Sequence, residues 1–237
     1  MKTQFMQCKD VNIAYTENGE GEPLLLLHGN SESKALFKKY QSLYFSDFHT
    51  FALDSRGHGQ SSWKGEDLSI EQFSEDVIEF CRQKNITKAS VIGFSDGGNT
   101  ALYLAKKAPQ LFTNVVALSP NTLVSGTEKK TLALMRFFFK TFKLFKKLGF
   151  KTDLLIKRFN LMLTDIGLSY EDLGSIQTRV HLIYSEHDMI NEEHIISIHK
   201  AIPDATLYKE MKANHMSEVE KEGVIAQIRS VLLQPLQ

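Results

Sequence analysis

The chain has 237 residues, 42% hydrophobic and 24% charged, a composition ordinary for a globular domain with a sizeable core. Its 28 basic and 28 acidic residues cancel, so net charge gives no reason to expect nucleic acid or an acidic partner. Two cysteines, Cys8 and Cys81, do not make a disulfide framework, and Cys81 is expected as a buried free thiol.

The first residues, Met1-Lys2-Thr3-Gln4-Phe5-Met6, lack an apolar signal region, so a cytoplasmic location is expected. Phe5 to Cys8 and Val11 to Tyr15 read as strands joined by a tight turn at Lys9-Asp10. After a turn cluster at Asn18 to Pro23, the run Leu24 to Leu27 reads as a strand buried on both faces. It is also the longest aliphatic run, far too short to span a bilayer. His28-Gly29-Asn30-Ser31 ends it, and a helical stretch is expected to about Tyr44. Thr50 to Leu53 is a strand that runs into Asp54-Ser55-Arg56-Gly57-His58-Gly59-Gln60-Ser61. Ser69 and Gln72 form a capping box that opens a helix with Ile70, Phe73, Val77, Ile78 and Cys81 on one face.

Ala89 to Phe94 is the next strand, and an Ala/Leu-rich helical run follows Gly93-Phe94-Ser95-Asp96-Gly97. Val115 to Leu118, Val180 to Tyr184 and Ala205 to Tyr208 are further strands. Helices are expected at about Asn191 to Ala201 and Ser217 to Leu233. This alternation implies a doubly wound, mostly parallel twisted sheet of about eight strands flanked by helices. It is broken between Ser119 and Arg179, where helical patterns occur without a strand. The expected organisation is a core of residues 1–120 and 178–237, interrupted by a helical lid at residues 121–177.

The Gly-x-Ser-x-Gly segment is a common pattern by itself, but here it joins a strand to a helix. Such a turn exposes a serine hydroxyl, and glycines remove the Cβ atoms that so sharp a bend would crowd. A serine nucleophile needs a base, and the base needs an orienting acid. The strand ends offer Asp188 as acid and His215 as base, 93 and then 27 residues further along. Glu186 is an alternative acid, set earlier in its turn. The expected oxyanion donors are the backbone N–H groups of Asn30 and Asp96. His28 and His58 read as residues that shape the site. His187, His194 and His199 do not have the spacing of a helical zinc pair, and no metal or cofactor is expected. Serine where a second glycine belongs argues against a dinucleotide loop.

In these segments the chain resembles the α/β-hydrolase family, above all in Asp54-x-Arg56-Gly57-His58-Gly59-x-Ser61. The Ser95-Asp96-Gly97-Gly98 elbow is similar to that of biphenyl-hydrolase-like and valacyclovir-hydrolase-like serine esterases. The resemblance implies cleavage of small-molecule carboxylic esters through an acyl-enzyme on Ser95, Asp188 and His215. Lactone or C–C bond hydrolysis on the same residues, or a binding protein without turnover, are the alternatives. Thr178-Arg179 and Ser185 stand where the family commonly has Pro and Gly.

Residues 121–177 carry eight lysines and two arginines against five acids. Leu134, Phe138, Phe142, Phe145 and Leu148 recur at helical spacing, which predicts a greasy underside over the pocket and a basic top. Phe138 and Phe142 are the expected substrate contacts, and the basic face is a candidate for anionic membranes or ligands. The Asp96 carboxylate either selects substrates with an ammonium group or bonds to its surroundings.

Overall fold

The computed structural model describes residues 1–233. All eight expected strands form: β1 (Gln4–Cys8), β2 (Val11–Asn18), β3 (Pro23–Leu27), β4 (His49–Leu53), β5 (Ala89–Phe94), β6 (Phe112–Leu118), β7 (Arg179–His187) and β8 (Ala205–Asn214). They make one sheet in the order β1-β2-β4-β3-β5-β6-β7-β8. β1 and β2 run antiparallel, and β3 to β8 are parallel. Strand order reverses around β3, which pairs with β4 on one side and β5 on the other. A crevice at the carboxyl ends of such strands is where open α/β sheets bind ligands.

The leucine run of β3 explains its central place. Leu25 and Leu27 enter the core on one face of the sheet, and Leu24 and Leu26 enter the core on the other. The first core is closed by α1 (Ile70–Gln83) and α2 (Asp96–Lys107). The expected capping box of Ser69 and Gln72 starts α1. The second core is closed by α7 (Glu222–Leu232) and the segment from Phe37 to Phe48. Cys8 and Cys81 are both buried, free thiols.

Two expected helices are altered. The stretch before Tyr44 is a 3-10 turn at Lys34–Phe37 and a wide π-type turn at Tyr40–Tyr44, closed by Phe45 N–H on Tyr40 O at 2.8 Å. Phe37, Tyr40, Gln41 and Phe45 are all buried along this irregular path, at a spacing that a regular helix would also have placed on one face. The closing helix begins at Glu222, not Ser217, because Glu218 and Val219 are buried in a separate 3-10 turn.

Between β6 and β7 lie α3 (Lys129–Lys147), α4 (Asp153–Met162) and α5 (Tyr170–Gly174). α6 (Glu192–Ala201) joins β7 to β8. Only Leu132 of α3 is buried. The aromatic spacing foreseen for the underside faces solvent: Leu134, Phe138, Phe145 and Leu148 are exposed. Leu132, Met135, Phe139 and Phe142 take the inner side, because α3 packs on α4 rather than on the sheet.

Below the Gly57 to Gly59 loop, Arg56 makes a two-pronged ion pair with Asp76, both bonds 2.7 Å. Asp10 and Glu66 complete its acidic surround. Arg56→Ala leaves Asp76 buried without its counter-charge and should cost about 3–5 kcal/mol by urea denaturation. The double variant Arg56→Met/Asp76→Leu should recover most of that loss. Equal destabilisation of both variants would contradict this account.

Candidate active site

Ser95 sits between β5 and α2 with φ 54° and ψ −115°, a left-handed conformation that costs a non-glycine residue energy. Its neighbours explain the glycine spacing. A Cβ on Gly93 would lie 2.0 Å from Gly97 O, and one on Gly97 would lie 2.0 Å from Leu27 O. The turn can therefore be this tight only with glycine at both positions. It lifts the Ser95 hydroxyl to the carboxyl edge of the sheet.

His215 follows β8 and is buried, its ring 4.9 Å from that of Phe94. Its Nε2 lies 3.2 Å from Ser95 Oγ, and its Nδ1 lies 2.7 Å from Asp188 Oδ1. Asp188 Oδ1 also accepts the Ile190 N–H at 3.0 Å. Burial pushes the Asp188 carboxyl up, but His215, the Ser119 hydroxyl and the Ile190 amide outweigh that and hold it below the ordinary value. Glu186 is turned away and accepts the Lys212 N–H at 2.9 Å.

Beneath this pair lies a group that sequence reasoning missed. Ser119 Oγ is within hydrogen-bond distance of both Asp188 Oδ2 and Glu218 Oε2. One hydroxyl proton cannot serve two carboxylates, so a second proton belongs to the cluster. Burial, and then the charge of Asp188, raise Glu218 well above the ordinary value, while Asp188 is lowered. The proton therefore resides on Glu218, which donates to Ser119, which donates to Asp188. Glu210 and the Tyr40 phenol also face Glu218, and neither supplies a positive charge. Its position three residues after His215 gave no signal, because only the 3-10 turn aims it inward.

On the opposite side, His28-Gly29-Asn30 ends β3. His28 Nε2 accepts the Ser55 N–H at 3.1 Å, so its Nδ1–H donates to Gly29 O at 2.7 Å. Burial pushes His28 down to about 4 and His58 down to about 3, so both stay neutral as packing groups. Glu32 accepts the Gly29 N–H at 2.9 Å. The next amide, Asn30 N–H, and the first-turn amide of Asp96 have no protein acceptor among the described residues. The Asp96 carboxylate accepts from Asn30 Nδ2 at 2.9 Å and from Asn99 Nδ2 at 3.5 Å. Burial raises its pKa against the pull of those two amides.

Ser95, His215, Asn30 and Asp96 border a cleft of about 110 Å³. A family model described as alpha/beta hydrolase fold matches residues 22–152. The chain belongs to the α/β-hydrolase fold family. It is similar to a probable alcohol acetyltransferase of Wickerhamomyces anomalus, 33% identical over 133 residues, 50% of this chain and 38% of that protein. It is also similar to the (E)-2-((N-methylformamido)methylene)succinate hydrolase of Acinetobacter baylyi, 32% identical over 121 residues, 50% of this chain and 43% of that enzyme. The matched segment thus spans less than half the length of these relatives. Among solved structures, an E-2-(acetamidomethylene)succinate hydrolase superposes with a TM-score of 0.82 at 16% identity, covering 98% of both chains.

The stretch between β6 and β7 supplies part of the cleft wall, through Met135 of α3 and Leu161 and Met162 of α4. The aromatic pair expected there lies elsewhere. Phe138 and Phe142 pack on Phe159 of α4, with ring centroids 5.9 and 5.3 Å from it, and neither borders the cleft. The helical period was right, but the partner surface is α4. His187 is exposed, His194 accepts the Thr122 N–H at 3.2 Å, and His199 lies 3.2 Å from Ala205 O. Among the described residues, Asp188, His215 and Glu218 are the one trio with ligand-type atoms within 4.8 Å of each other. Their facing atoms are already joined by the hydrogen bonds above. A larger hollow of about 520 Å³ lies at the other end of the sheet, bordered by Pro23, Asp47, Lys88 and Asn114, far from Ser95.

Folded Glu218 keeps its proton where the unfolded carboxyl has lost it. Its contribution to stability is thus largest below 4.5, the ordinary glutamate value, and falls as pH rises above it. Glu218→Gln keeps the neutral shape and removes that dependence. The difference in melting temperature should move in the variant's favour between about pH 5 and pH 8. A flat difference across that range would place an ionised carboxylate at this position.

Proposed function

We propose that this α/β hydrolase cleaves carboxylic esters of small molecules through an acyl-enzyme on Ser95. The observation that carries the reading is the continuous contact from Ser95 Oγ to His215 Nε2, 3.2 Å, and from His215 Nδ1 to Asp188 Oδ1, 2.7 Å. His215 takes the Ser95 proton as Oγ attacks the ester carbonyl. The amides of Asn30 and Asp96 receive the negative charge on the carbonyl oxygen. His215 returns the proton to the leaving alcohol, and the C–O bond breaks. It then takes a proton from water, which attacks the acyl-enzyme, and passes that proton to Ser95 Oγ as the acyl–Oγ bond breaks and the acid leaves. Asp188 holds the imidazole tautomer and stabilises its cation.

The small, methionine-lined cleft favours short acyl groups. Lactones are internal esters and need the same steps, so they belong to the same reading. Asp96 is assigned to holding the oxyanion turn through Asn30, because its carboxylate oxygens already accept from Asn30 and Asn99. Residues 121–177 act as the lid that walls the cleft.

Ser95→Ala should lower turnover of a short p-nitrophenyl ester by about 10⁶-fold and abolish fluorophosphonate labelling. Asp188→Asn should lower turnover by about 10⁴-fold with labelling slowed rather than lost. Labelling that survives in Ser95→Ala would remove the assignment. Asp96→Asn should weaken hydrolysis of plain and amino-acid esters alike. A loss confined to amino-acid esters would instead assign the carboxylate to ammonium recognition.

A further inference from the structure

The outer side of α3 and the turn after it is the least satisfied surface of the molecule. Leu134, Phe137, Phe138, Leu144, Phe145 and Leu148, with Phe150 in the turn, are between 39% and 64% exposed. These seven are half of the large apolar side chains exposed among the described residues. At 3.6 residues per turn the six on the helix fall within about a third of its circumference. They form one stripe rather than scattered exceptions, and contiguous apolar patches on a soluble surface mark interaction sites.

The charges beside the stripe are all of one sign. Residues 129–151 contain eight lysines and arginines and no acid, in a chain whose net charge is zero. Lys140, Lys143 and Lys147 run along one edge of the stripe. Lys146 alone of the eight has an ion-pair partner among the described residues, Asp153, and Lys143 lies 4.5 Å over the ring of Phe139.

From this juxtaposition we infer that α3 and its following turn dock on an anionic phospholipid surface, phenylalanines in the acyl boundary and lysines at the headgroups. The two stripes lie side by side along one helix, the arrangement of a helix lying in the interface plane. Lysine stems reach outward from the boundary while their ammonium groups stay among phosphates. A second copy of this chain packed symmetrically on the stripe would face lysine against lysine, so charge complementarity favours the lipid. No described helix is long and apolar enough to cross a membrane, so this contact is peripheral. Met135 of the same helix borders the cleft, so docking holds the Ser95 cleft beside the bilayer.

The test is vesicle co-sedimentation of the full chain, with phosphatidylcholine alone and with phosphatidylcholine containing phosphatidylglycerol. The wild type should pellet with the anionic vesicles, less with the neutral ones, and release as salt rises. Phe137→Ser/Phe145→Ser/Phe150→Ser should weaken vesicle binding by about tenfold or more. Lys140→Gln/Lys143→Gln/Lys147→Gln should remove the preference for anionic lipid. Both variants should keep the wild-type thermal melt and the wild-type rate on a soluble p-nitrophenyl ester, so that lost binding is not lost folding. A wild type that stays in the supernatant at low salt overturns the inference. So does binding that neither variant changes. A dimer in sedimentation velocity that the phenylalanine variant dissociates would overturn it by assigning the stripe to a second copy.

Discussion

The site depends on one close approach of backbone to backbone. The first turn of α2 lies against the end of β3 so tightly that Gly97 has no room for a Cβ beside Leu27 O. That contact draws together three things which arise far apart in the chain. It presents the Ser95 hydroxyl, aims the unpaired Asp96 amide, and sets the Asn30 turn across from both. The cost is the left-handed backbone of Ser95, which the strand pairings on both sides of β5 hold in place.

A second layer of buried polar groups supports that contact. Lys34 reaches the fully buried Asp54 at 2.6 Å, and Asp54 also accepts from the Gln60 N–H at 2.9 Å. The loop after β4 is thereby tied to the segment after the Asn30 turn. Arg56 anchors the same loop to α1, and Arg158 of α4 donates to Gly57 O from above. Neutral His28 and His58 fill the space between, their ring centroids 5.5 Å apart. Charges buried at this depth must be paired, and pairing gives the loops one arrangement. Glu218 solves the same problem differently, by keeping its proton.

Much of the site was legible because its chemistry is tied to strand ends. Gly93, Ser95 and Gly97 signalled a turn whose geometry tolerates few other residues. Asp188 and His215 were legible as candidates because each follows a predicted strand, Val180 to Tyr184 and Ala205 to Tyr208. Glu218 was not, since a charged residue in a polar stretch carries no sign of burial. The segment before Tyr44 was misread for a related reason. Its apolar residues have helical spacing, and that spacing does not distinguish a regular helix from the 3-10 and π-type turns that bury Phe37, Tyr40 and Phe45 here.

Sequence alone determined the eight strands and the turn at Ser95. These follow from local forces: side-chain period, β-branching and the backbone freedom of glycine. Tertiary structure alone decided which face of α3 is covered. The repeat of Leu134, Phe138 and Phe145 defines an apolar stripe, but period cannot say whether that stripe meets a sheet, another helix or solvent. Burial is settled by what packs opposite, and here α4 covers Phe142 while Phe137 and Phe145 are left exposed.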